Sequence, residues 1–143
     1  MTLPYFKLIA ATALVGASLS VATSSQAHHA FAAEFDSRKA VAVRGVVTKV
    51  RFVNPHSWVY VDVAGADGKV VNWGFEFGTP NGLQKNGLTR DNIKPGTELG
   101  IQGYLAKNGG AFGYSAILTL EDGRKVRTGG APDAPQDPRT KRG

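Results

Sequence analysis

The side chains best suited to chemistry in this chain are its three histidines: His28 and His29, adjacent near the amino terminus, and His56, in Asn54-Pro55-His56. Imidazole is the commonest metal ligand among side chains. If the mature chain begins at His28, that residue offers both a free α-amine and a ring nitrogen, which together can chelate one ion. Adding His29 or His56 gives a nitrogen-rich set that suits tetragonal Cu(II) and that Zn(II) also accepts, with the affinity order favouring Cu(II). Glu34, Asp36 and Glu76 are the candidate oxygen ligands. The competing reading is structural: His28 and His29 form a solvated terminus, and His56 hydrogen-bonds the backbone of its own turn.

The chain contains no cysteine, and its single methionine is Met1. A mature chain without Met1 has no soft sulfur ligand for Cu(I) and no thiolate nucleophile, so a metal site must be built from nitrogen and oxygen. No catalytic constellation is visible. Ser57 follows His56 directly, and neighbours in a strand face apart; there is no Gly-x-Ser-x-Gly elbow. A second kind of surface is offered by Trp58 and Tyr60, which alternate with valines and could present rings to a glycan or a protein partner. Arg44, Lys49 and Arg51 nearby resemble the basic rim of a single-strand binder, but an exported protein has little access to nucleic acid.

Export is the expectation from the first 27 residues. Lys7 precedes an apolar run from Leu8 to Ala22, and Ser25 and Ala27 occupy the small-residue positions of a cleavage site. The run is shorter than the roughly twenty residues of a spanning helix and is broken by Gly16, Ser18 and Ser20. Cleavage after Ala27 leaves His28 as the first residue and predicts a periplasmic or secreted protein with no membrane span. The net charge is +6 at pH 7, and Lys7 is the one charge in the leader.

The remaining elements read as strands. Val41 and Val43 share a face up to Gly45, after which Val46, Val50 and Phe52 take the apolar positions, so Gly45 is expected to mark a bend or bulge. Pro55 cannot donate to a ladder, which places Asn54-Pro55-His56 at a strand end or turn. Val59, Val61 and Val63 alternate with Trp58, Tyr60 and Asp62, and Ala66-Asp67-Gly68-Lys69 reads as a hairpin turn. Val71, Trp73, Phe75 and Phe77 form one side of a third strand, with Trp73 directed to the core. Thr79-Pro80 reads as an N-cap followed by a proline at the first helical position. A fourth strand, about 97–106, points Leu99, Ile101 and Leu105 inward; a fifth covers about 112–120, and a small hairpin ends at Arg127.

Three strands, one short helix and two further strands predict an all-β fold, a small antiparallel five-stranded barrel of the OB type, with an open sheet or sandwich as the rival. The domain is expected to span residues 28–127. From residue 128 to 143 the chain is rich in Gly, Pro and charge and is expected to be a disordered tail.

The sequence His28-His29-Ala30-Phe31-Ala32-Ala33-Glu34-Phe35-Asp36, the Asn54-Pro55-His56 turn, Trp73-Gly74-Phe75-Glu76 and Lys94-Pro95-Gly96 together resemble a family of short exported proteobacterial proteins catalogued as a domain of unknown function. The resemblance covers residues 28–127. It implies a signal peptide and a small exported β-domain, and it carries no established activity.

Overall fold

A computed structural model describes residues 31–135 of the chain. The proposed leader and the histidines His28 and His29 lie outside the described residues. The elements run α1 (Phe31–Glu34), β1 (Phe35–Arg51), β2 (Ser57–Ala64), β3 (Val70–Phe77), α2 (Pro80–Lys85), β4 (Glu98–Ala106), β5 (Phe112–Thr119) and β6 (Lys125–Arg127).

The 17-residue β1 is long enough to serve two neighbours. Its second half pairs with β2, from Val46 opposite Asp62 to Arg51 opposite Trp58. Its first half pairs with β4, from Phe35 opposite Ala106 to Val46 opposite Glu98. β2 pairs with β3 and β4 with β5, all antiparallel. A short parallel pairing of β3 with β5, from Gly74 opposite Phe112 to Glu76 opposite Tyr114, closes a ring of five strands. The strand order and the helix between β3 and β4 are as expected, with two differences. The closing pair is parallel, and a second short helix, α1, precedes β1.

Alternation explains the core. Val59, Val61, Phe75, Leu99, Ile101 and Leu118 are fully buried inside the ring, as a period of two requires. Trp73 stacks on Phe75 with centroids 5.8 Å apart and packs against this core. Thr79 caps α2 by accepting the Gly82 N–H at 3.1 Å, with Pro80 in the first turn. Leu83 of α2 and the following Leu88 and Ile93 complete the interior.

The change of phase in β1 falls at a different place from the one expected. Val47 is buried and Val46 is 43% exposed, so the Val41–Val43 face continues through Gly45. The register shifts between Val47 and Lys49. Gly45 is small for another reason: a Cβ there would sit 2.7 Å from the Asp62 carbonyl oxygen.

A second buried cluster lies on the outer face of β4 and β5. Tyr104 and Ala106 alternate with Leu99 and Ile101, so they turn away from the ring interior, where they meet Tyr114, Phe31 and Phe35. Phe31 meets Tyr104 and Tyr114 edge-on, at centroid distances of 5.4 and 5.0 Å. The lead-in is therefore pinned by its two phenylalanines.

The first part of the expected tail is packed. Thr128 is buried, with its hydroxyl 2.7 Å from that of Ser115. Ala134 is buried in the outer cluster, and Asp133 accepts hydrogen bonds from the amides of Phe31 and Ala32. Residues 128–135 thus belong with the domain, held by hydrogen bonds and alanine-sized contacts that an apolar-content argument overlooks. Residues 136–143 lie outside the described residues. No helix among the described residues is long and apolar enough to cross a membrane.

Candidate functional site

The hairpin between β2 and β3 fixes the site. Its turn places Gly65 N–H on the Lys69 carbonyl at 2.8 Å, with Gly68 in the left-handed region at φ 79°. From that turn the register sets Asp62 opposite Asn72, Tyr60 opposite Gly74 and Trp58 opposite Glu76. Because Val59 and Val61 point into the ring, Trp58 and Tyr60 face outward, as do Gly74 and Glu76 across the ladder.

His56 stands one residue before β2, after a cis Asn54–Pro55 bond. Its Nδ1 forms a hydrogen bond with the Glu76 Oε1. The His56 side chain is 21% exposed and that of Glu76 only 8%. Glu76 has Trp58 opposite it on β2 and Tyr114 opposite it on β5, which explains how a carboxylate on the outer face comes to be buried. An ionised carboxylate oxygen can only accept, which for an ionised Glu76 puts the shared proton on Nδ1. In the neutral ring Nε2 then holds a lone pair, and it has no hydrogen-bond partner among the described residues. His56 therefore bonds a carboxylate from the neighbouring strand, whereas the structural reading assigned its bond to the turn backbone.

Tyr114 borders the same carboxylate. Burial pushes its phenol above the ordinary value; the Ala131 amide opposes that shift and the charge of Glu76 adds to it.

The other candidates are placed as follows. Trp58 stacks on Phe112 at 5.2 Å, and Phe112 in turn stacks on Phe35 at 5.9 Å. Tyr60 covers Gly74, where an added Cβ would come within 3.2 Å of its ring, and the Lys49 ammonium lies 5.9 Å from its centroid. Trp58 and Tyr60 thus belong to one outward aromatic patch beside His56, with part of each ring already covered. Asp36 is engaged elsewhere, bonded by the side chain and amide of Arg38, which hold its carboxyl below the usual range. Among the described residues no group of three or more histidines and carboxylates converges on a point where an ion could sit.

Sequence reasoning named Glu76 as an oxygen donor without placing it. The hairpin register could have paired it with Trp58 and so brought it beside His56. Phe112, Tyr114 and Asp133 were missed, and nothing in their sequence surroundings distinguishes them.

Residues 17–115 match DUF6152, a family of unknown function. No curated protein matches the chain, and no solved structure does.

Proposed function

The chain is a member of this family of unknown function, and we propose that it is an exported, periplasmic accessory protein that binds Cu(II), or alternatively Zn(II), through His28, His29 and His56. In this reading residues 1–27 are a signal peptide removed on export. His28 supplies its α-amine and imidazole, and His29 and His56 supply further ring nitrogens.

The observation that carries the proposal is the His56–Glu76 pair. A histidine whose Nδ1 is held by a buried carboxylate has its ring oriented and the Nε2 lone pair made more basic, the arrangement by which outer-shell carboxylates support metal-bound histidines. Glu76 is then the orienting group. The attachment point of the amino-terminal histidines supports the same reading. Phe31 packs 5.0 Å from the ring of Tyr114, the cross-strand partner of Glu76.

The test is a Cu(II) titration of protein purified from the periplasm, read by calorimetry and electron paramagnetic resonance, with mass spectrometry of the first residue. Tight one-to-one binding with nitrogen couplings is expected, lost when one residue is added before His28. His56→Ala should weaken binding by about tenfold or more, on the scale of disrupted ligand shells. Affinity no better than that of an unstructured His-His peptide would overturn the proposal.

The outward patch of Trp58, Tyr60 and Phe112 beside Lys49 favours a second reading, a metal-independent site for a glycan or a protein partner. It requires binding by the metal-free protein that Trp58→Ala abolishes and His56→Ala leaves intact.

A further inference from the structure

We propose that the outward face of β2 and β3 binds an acidic polysaccharide, a chain of uronate-bearing sugar rings, with Trp58 and Tyr60 stacking on the sugars and Lys49 and Arg51 pairing with their carboxylates. The inference rests on the second, metal-independent reading above and narrows its ligand to one chemical class.

The ladder sets the arrangement. Lys49 stands opposite Tyr60, and Arg51 opposite Trp58, so each outward ring has a cation beside it on the same face. The Lys49 ammonium lies 5.9 Å from the Tyr60 centroid. Trp58 and Tyr60 are two residues apart and so about 7 Å apart along β2. The two ring–cation pairs form consecutive rows, a repeat that suits a chain carrying one charge per ring.

The rings are held in place by one another. Gly74 lies between Tyr60 and Phe112, where an added Cβ would come within 3.2 Å of the first ring and 3.3 Å of the second. Phe112 in turn stacks on Trp58 at 5.2 Å. Side chains fixed by packing lose little rotamer freedom when a ligand lands on them.

Charge then selects an anion. Arg38 is paired with Asp36, Arg44 with Glu98, Lys69 with Asp67 and Arg124 with Asp122. Lys49 and Arg51 are exposed and form no ion pair among the described residues. The carboxylates on this face are engaged by their own neighbours, Glu76 by His56 and Asp62 by the Asn72 amide at 2.7 Å. Asp62 also separates one anion from another. It shares the Asn72 amide with the Thr48 hydroxyl, which accepts at 3.1 Å. An ionised carboxylate accepts hydrogen bonds and donates none, so it suits sugar hydroxyls and repels a phosphate backbone. An acidic peptide adding as a strand would need an open sheet edge, and β2 is paired on both sides here, with β1 and β3.

The test is calorimetric titration of the full chain, with chelator present, against a short oligogalacturonate, its methyl ester, a single-stranded oligodeoxynucleotide and oligoglutamate. The oligogalacturonate should bind most tightly. Its methyl ester keeps the rings and loses the charge, and should bind about tenfold more weakly, the combined effect of two exposed ion pairs. Lys49→Ala and Arg51→Ala should each weaken the oligogalacturonate by about threefold to fivefold and leave the ester unchanged. Both side chains are exposed, so the variants should melt as the wild type does. Arg51→Lys should recover part of the loss. Trp58→Ala should weaken both sugars by about tenfold, as loss of a stacking ring does. Arg124→Ala removes the same charge from the turn between β5 and β6 and should change neither affinity. Equal affinity for acid and ester overturns the inference while leaving a glycan site at Trp58. Tighter binding of the oligodeoxynucleotide or of oligoglutamate overturns it in favour of that class. If neither sugar binds, the glycan reading itself fails and the inference falls with it.

Discussion

The Tyr114 hydroxyl accepts the Ala131 amide N–H at 3.0 Å, joining the outer face of β5 to a segment whose composition reads as tail. Tyr114→Phe removes the acceptor and preserves the ring contacts with Phe31 and Phe35. The variant should lose about 1 kcal/mol of stability, the usual net value of one hydrogen bond, or more where the amide stays shielded from water. Urea denaturation at neutral pH measures it; a change indistinguishable from zero would mean that the segment is not held through this bond.

Alkaline pH should expose the same tyrosine. Burial raises the Tyr114 phenol in the folded state above its unfolded value of 10.0. The native protein consequently binds more protons than the unfolded chain in the window above that value. The stabilisation is complete below pH 10 and is lost as pH rises towards the folded value. The phenolate absorbance that Tyr114→Phe removes should develop only above pH 10, together with a fall in unfolding midpoint that Tyr114→Phe reduces. A Tyr114 difference absorbance centred at the ordinary value of 10.0 would count against it.

Gly45→Ala tests the close approach of β1 and β2. The new Cβ would lie 2.7 Å from the Asp62 carbonyl oxygen and 3.0 Å from Val63 Cγ2, both on the paired strand, so β1 and β2 must separate. The cost should be about 2 kcal/mol, the middle of the range for overpacking a filled site. Gly110→Ala is the control, since its Cβ would meet only Asn108 Oδ1 at 3.6 Å; it should change stability by less than about 0.5 kcal/mol. Equal effects in thermal melts would show that Gly45 marks flexibility and not close strand approach.

The alternation of Val59, Val61 and Val63 and the Thr79-Pro80 cap were readable because each is a local rule, and the ring follows from their order. The phase change in β1 was not, because it falls at Thr48-Lys49, where no glycine or proline announces it, while the conspicuous Gly45 serves packing. The outer cluster escaped because alternation assumes one buried face per strand; Tyr104 and Ala106 occupy the other face and are covered by α1 and residues 131–135. Such a cover uses alanines and one carboxylate, which resemble a solvated tail until their partners are known. His56 was singled out by type alone. Its partner lies 20 residues away, and only the register of the β2–β3 hairpin brings the two together.

That pairing makes the sharpest prediction. If Glu76 orients His56 without itself ligating the metal, Glu76→Gln should keep the shape of the site and an acceptor for Nδ1–H but lose the negative charge that makes Nε2 a stronger donor. Cu(II) affinity should fall by about tenfold, the lower end of what outer-shell changes cost. The nitrogen couplings should keep their number, because every ligand nitrogen is still present. Glu76→Ala goes further, removing the acceptor and leaving a gap between Trp58 and Tyr114 on the flanking strands, so the His56 ring can turn and its coupling should weaken or vanish. Resonance spectra of the two variants separate the roles. Loss of affinity with all couplings intact in Glu76→Gln identifies an orienting carboxylate. Unchanged affinity in both variants would mean that the bond between His56 and Glu76 serves only the fold, and would remove the observation on which the metal proposal stands.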